Sequence, residues 1–213
     1  MSNAKESPAA SAALRQMMYT VLPERLPQIP PAKRTEAQRR VTADLAASRG
    51  SVKGPFSATM RCPELMDRMQ KLGACIRYEL ALDMRISRLA SLMVARHWTN
   101  QYEWHTGIPY ALEAGLKAAI IEAIGEGRYP PDMAGDEAAV YEFLSELFTH
   151  KSVSDTTYDK IVAQLGEAGV VELMALAGYY TMNAMIMNVS RTPVPDGKPM
   201  SLPPLPQQVR PDL

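Results

Sequence analysis

The chain has 213 residues, 46% of them hydrophobic and 22% charged, which is enough for one sizeable core and too little for two. Its 23 basic and 23 acidic residues cancel, so no electrostatic grip on nucleic acid or on an anionic membrane is expected. The N-terminus lacks the charged start and apolar core of a secretory signal, and no apolar run approaches the roughly 18–20 residues of a membrane span, so a cytoplasmic protein is expected.

Residues 1 to about 34 are rich in Ala, Ser and Pro. Proline removes a backbone donor and clashes with the preceding turn, so this segment reads as an arm with one short helix around Ala12 to Val21. Thr35 is placed as the N-cap of a helix closed by Gly50. A loop covers Gly50 to Pro63, and Pro63 opens an amphipathic helix whose Leu65, Met69, Leu72, Ile76 and Leu80 recur at helical spacing.

A third helix is predicted over Arg85 to His97, with Ile86, Leu89, Leu92 and Met93 inward, and a fourth from about Asn100 to Ala114, stopped by Gly115. Lys117 to Ile124 precede a Gly/Pro loop, and Asp136 is the expected N-cap of the next helix. Two more follow, one from Ser154 or Asp155 through Leu165 and one from Gly169 to Val189. The last is apolar nearly all round and is expected to be the central, most buried helix. Beyond Arg191, seven prolines fall within residues 193–213, which predicts an extended arm. The expected architecture is all-α with seven or eight helices, organised as an N-terminal arm and first helix (1–49), a helical domain (50–192) and a Pro-rich C-terminal arm (193–213).

The segment from Ala90 to Leu116 concentrates both Trp of the chain and two of its three His. Polar and aromatic groups this dense inside an Ala/Leu/Met-rich helical protein mark a site, because buried polar groups are costly unless satisfied or used. Glu103, between Tyr102 and Trp104, is read either as a general acid or base with a pKa raised by apolar surroundings, or as the partner of Arg85 or Arg88 in an ion pair. His105 is a candidate proton donor, and His97 reads as structural. Arg85, Arg88 and Arg96 are candidates for gripping a carboxylate. Trp98, Tyr102, Trp104, Tyr179 and Tyr180 either wall an apolar pocket or belong to the core. Met174, Met182, Met185 and Met187 read as gap-filling core. Three His without a carboxylate cluster make no metal-ligand set, so no metal is expected. Cys62 and Cys75 read as free thiols.

The segments GPFSATMRCPELMDRMQKLGACIRYE, ARHWTNQYEWHTGIPYALEAGL, DEAAVYEFLSELF, GEAGVVELMALAGYYTMNAMIMNV and TPVPDGKP resemble, in that order, the carboxymuconolactone decarboxylase family, which includes the alkylhydroperoxidase D proteins. The resemblance spans roughly residues 50–200, and YEWH followed by ALEAGL is its most specific part. It implies an all-helical alkylhydroperoxidase D-like fold that assembles into homo-oligomers, commonly trimers or hexamers, with the site between helices near subunit boundaries. It also implies one of two chemistries: decarboxylation of a muconolactone, or reduction of hydroperoxides by a CxxC pair with a His and a relay Glu. Where the peroxidase pattern has Glu, the two Cys and His, this chain has Arg88, Asn100, Glu103 and Gly107. A dithiol mechanism needs a thiolate and a resolving thiol, and both are missing there. The expectation is therefore a decarboxylase-like enzyme acting without a cofactor on a small carboxylated or lactone substrate. Glu103 and His105 would move protons; Arg85, Arg88, Trp98, Tyr102 and Trp104 would contact substrate. On a regular helix His105 lies about 200° from Glu103, so its role requires distortion near Pro109. A ligand-binding oligomer without catalysis is the rival expectation, and peroxidase activity through Cys62 or Cys75 the third.

Overall fold

The computed structural model describes residues 22–198 and 200–202; the helix predicted over Ala12 to Val21 and the last part of the C-terminal arm lie outside them. The described residues form eight α-helices and no strand. These are α1 (Glu36–Arg49), α2 (Pro55–Thr59), α3 (Pro63–Tyr78), α4 (Met84–His97), α5 (Gln101–Glu113), α6 (Ala118–Gly125), α7 (Gly135–His150) and α8 (Asp155–Ser190). Single-turn 3-10 helices at Pro31–Lys33 and Pro195–Gly197 flank them.

Most boundaries follow local chemistry. Thr35 and Gln38 close a reciprocal capping box at the start of α1, and Gly50 ends it at φ 74°, a conformation that costs glycine little. Pro63 occupies the first turn of α3. Two boundaries differ from expectation. Gly54-Pro55, read as loop, opens the short helix α2, because proline at a first helical position gives up nothing there. The N-cap of α7 is Ala134, not Asp136; Glu137 reaches back to the Ala134 N–H at 2.7 Å and does the capping instead. Helix α8 carries a non-helical residue, Gly166 at φ 68°, so the two separately predicted helices meet there end to end.

The core is organised around α4, which packs on α5, α6, α7 and α8. Ile86 and every residue from Leu89 to Arg96 are buried, so α4, and not α8, is the most enclosed helix. Helix α8 buries Leu173, Leu176, Ala177, Tyr180, Ala184 and Met187 but exposes Val171 (60%), Met174, Met185 and Val189 (64%) along its other side. Met174 and Met185 are thus surface residues. By length and hydropathy alone α8 is the one described helix that passes for a membrane span, the helix whose sequence reads as apolar nearly all round. In α3 the buried face runs through Met66, Met69, Gly73 and Ile76, leaving Leu65 and Leu72 outside. A second, smaller core of Val41, Leu45, Phe56, Met60, Met66 and Met69 joins α1, α2 and α3 to the end of α8.

Candidate functional site

Helix α5 begins at the point where the chain turns off α4. Asn100 caps it, accepting the Glu103 N–H at 2.8 Å. Its amide donates to Asn188 Oδ1 at 2.8 Å and to the Ala184 carbonyl at 3.3 Å. Asn188 in turn donates to the Trp98 carbonyl at 2.8 Å. The first turn of α5 is therefore fastened to α8 by polar contacts with little freedom. Gln101 fixes it from another side, donating to the Leu202 carbonyl and accepting the Leu202 N–H, each at 3.0 Å. Leu202, in the C-terminal arm, is fully enclosed.

On this rigid turn sits Glu103, 9% exposed. Its Oε2 has no hydrogen-bond partner. Burial raises its pKa well above that of an ordinary glutamate, and the positive charge of Arg77 only partly offsets this. A helix N-terminus favours an anion by at most about 2 kcal/mol, too little to reverse the loss of hydration. Glu103 is thus a carboxylic acid that keeps its proton at pH values where exposed glutamates have lost theirs.

Arg77, near the end of α3, connects this acid to α8. Burial works against its charge, but Tyr180 and Tyr179 more than compensate, and its pKa lies above the usual arginine value. The two phenol rings meet edge to face, 5.6 Å apart. The Tyr179 hydroxyl and Asn183 Oδ1, one turn further along α8, are buried without partners. Native buried polar atoms are nearly all hydrogen-bonded, so these three orphans, Glu103 on the first turn of α5 and Tyr179 and Asn183 on α8, make this region the candidate site.

The other predicted site residues have different fates. Arg85 is committed elsewhere: its guanidinium binds Asp136 at 2.6 Å and Glu137 at 2.6 Å, and these bonds raise its pKa far above the arginine norm. It ties α4 to the first turn of α7. Arg88 holds its guanidinium 5.3 Å from the centre of the Tyr110 ring, and its Nε is buried without an acceptor. Helix α5 continues through Pro109 without a break, so His105 stays on a different face from Glu103 and is not brought into its cluster. Trp104 is a core residue, 3% exposed, against Gly125. Trp98 is half-buried and donates to Thr181. Tyr102 lays its ring over Gly54, where an added Cβ would fall 3.0 Å from it. His97 stacks on Phe148 at 4.4 Å, and burial lowers its pKa. Arg96 donates to the Gly125 carbonyl and to Thr99. Gly107, one turn beyond Glu103, faces Leu92 closely enough that a Cβ would lie 3.0 Å from its Cδ2.

Sequence reasoning missed Arg77 and Asn183. Arg77 lies outside the Ala90–Leu116 segment, and only the packing of α3 against α8 gives it a role. Its one sequence signal is an arginine next to a buried apolar position, Ile76, in the last turn of a helix.

No family model matches the chain, and no curated protein matches it. Among solved structures it is similar to the crystal structure of an alkylhydroperoxidase AhpD core, an uncharacterized peroxidase-related protein from Ralstonia eutropha JMP134. The TM-score is 0.64 at 12% identity, over 81% of this chain and 93% of that one. At that identity the likeness establishes the fold: an all-α, AhpD-like arrangement.

Proposed function

We propose that this chain is a carboxymuconolactone decarboxylase-like enzyme, independent of cofactors, that acts on a small carboxylated or lactone substrate by acid–base chemistry. The observation that carries the reading is Glu103, a buried acid with an orphaned oxygen and a raised pKa on a rigid helix turn. When a carboxylate leaves as CO2, the electrons of the broken C–C bond pass to an enolate-type anion. That anion needs a proton at carbon and a hydrogen-bond donor at oxygen. Glu103 holds the proton, and the unpaired Tyr179 hydroxyl is the available donor. Solvent reprotonates Glu103 after release of product. The His105 role expected from sequence is not carried into this scheme.

The name of the structural neighbour suggests peroxidase chemistry, and the cysteines of this chain argue against it. Cys62 precedes α3 and Cys75 lies in its last turns, so thirteen residues of helix hold them about 20 Å apart, far beyond disulfide reach. Burial, with Glu79 next to it, raises the Cys75 pKa, the wrong direction for a thiolate nucleophile. As part of the same reading we propose a cytoplasmic homo-oligomer, a trimer or hexamer. Support comes from the exposed side of α8, where Val171, Met174, Met185 and Val189 form an apolar stripe of the kind monomers seldom leave open.

The test is CO2 release from a panel of muconolactone-type and β-keto acids, with dithiol-dependent hydroperoxide consumption measured alongside. Release by the wild-type protein should fall about 100-fold or more in Glu103→Gln. Equal rates for the two proteins would remove Glu103 from the mechanism, and peroxide turnover without CO2 release would overturn the decarboxylase reading.

A further inference from the structure

We infer that the exposed side of α8 pairs with the same side of α8 in a second copy of this chain, antiparallel, with the two helices crossing at Gly178. This pairing rests on the reading of the chain as a homo-oligomer and gives that assembly two-fold contacts, as in a dimer or a hexamer. Counted from Gly178, the positions four, seven and eleven residues away on either side carry Glu167, Val171 and Met174 before it and Met182, Met185 and Val189 after it. At 100° per residue they fall with Gly178 inside an arc of about 80°. All but the half-buried Met182 are exposed. Apart from its end charge the stripe reads the same in both directions. A two-fold interface requires that, because each residue there meets a partner that it meets again on the other side of the axis.

Gly178 itself has no reason inside the chain. Glycine in a helix interior is destabilising relative to alanine, and such a residue persists where its φ is positive or where a neighbour leaves no room for a Cβ. Gly178 has no positive φ, and a Cβ added to it would meet nothing within 4 Å, whereas at Gly107 and Gly125 it would press on Leu92 and Trp104. Room above a bare helix backbone is what a second helix needs to approach closely, since the side chains at a crossing set the distance between the axes.

The charges at the two ends fix the direction. Glu167, exposed in the turn after the Gly166 kink, forms no ion pair among the described residues. At the other end Arg25, also exposed, donates from its guanidinium to the Val189 carbonyl at 3.2 Å and from its backbone N–H to the Ser190 carbonyl at 2.8 Å. In an antiparallel pair Val189, with Arg25 beside it, lies over Glu167 of the partner subunit, and the contact occurs twice. A parallel pair would set the two glutamates against each other, which costs affinity. A glutamate within the stripe also disfavours burial of this face in a bilayer.

Sedimentation equilibrium of the full chain at micromolar concentrations tests the pairing without reference to turnover, so failure of the acid–base reading appears only in the CO2 assay. Gly178→Arg should weaken self-association about 100-fold with an unchanged far-UV circular dichroism spectrum, because the position faces open space. Glu167→Arg and Arg25→Glu should each weaken it about threefold to tenfold, and the double variant should associate like wild type. An oligomer that Gly178→Arg leaves intact would overturn the pairing and keep the homo-oligomer reading, whereas a monomeric wild type would overturn both. A double charge variant weaker than either single one would overturn the antiparallel direction. Co-sedimentation with phosphatidylcholine vesicles in place of self-association would assign the stripe to a lipid surface and overturn the inference.

Discussion

Two polar clusters, one around Arg85 on α4 and one around Glu103 on α5, are opposite in kind. Around Arg85 every charge is met: Asp136 and Glu137 bracket the guanidinium, and Glu137 also caps α7. Around Glu103 the account does not close, with orphans on Glu103, Tyr179 and Asn183. Satisfied polar groups hold elements together; buried unsatisfied ones persist at a cost and so point to a ligand or a reaction. The Arg85 cluster is therefore structural, and the Glu103 cluster is the one we propose as functional.

The sharpest way to break this comparison is to remove each central charge. Arg85→Met leaves the Glu137 carboxylate, whose side chain is only 4% exposed, without its cation, and should cost about 3 kcal/mol of unfolding free energy, read as a lower denaturant midpoint. An unchanged midpoint would mean that the bracket is decorative. Gln101 makes the same point on the turn that carries Glu103. Gln101→Ala should cost about 1–2 kcal/mol, because both backbone groups of buried Leu202 lose their partner. Protease sensitivity of the C-terminal arm should rise with it.

The two clusters also respond to pH with opposite sign. The folded-state pKa of Glu103 is raised by burial, so folding binds its proton more tightly. Its stabilising contribution is complete below the ordinary glutamate pKa of about 4.3 and is lost as pH rises through the folded value. For Asp136, burial pushes upward but the Arg85 bond outweighs it, and the pKa is lowered. Its contribution is present above about pH 4 and is lost as pH falls toward the lowered value. Glu103→Gln should therefore gain stability relative to wild type as pH is raised, while Arg85→Met should narrow its deficit in acid. Parallel pH profiles for the two variants would erase the distinction between the clusters.

The helices were legible because their signals are local: the capping box of Thr35, the prolines at helix starts, the glycines at positive φ. Glu103 stood out as a charge inside an apolar helix, and burial accounts for its raised pKa. What sequence could not supply was pairing across elements. Arg85 and Arg88 differ by three residues and look alike, yet α7 delivers two carboxylates to one and none to the other. Arg77 comes to the site through the packing of α3 on α8, a contact with no local signature. The apolar girth of α8 suggested a helix at the centre, but hydropathy does not distinguish a face turned to the core from one left open, and Val171 and Val189 are open.

The smallest expected effect concerns the limit of the functional cluster. Gly107 lies on the same face of α5 as Asn100 and Glu103, and the side chain of Leu92, 1% exposed, fills the space against it. Gly107→Ala should gain up to about 1 kcal/mol from helix propensity and lose about as much because the added Cβ presses on a buried Leu that has little room to move. Stability should then stay within about 1 kcal/mol of wild type and turnover should hardly change, since Leu92 already seals the face one turn beyond the acid. A loss of turnover greater than about tenfold at unchanged stability would mean that substrate reaches position 107. The functional cluster would then extend along α5, and Leu92 would be a wall of the site instead of its boundary.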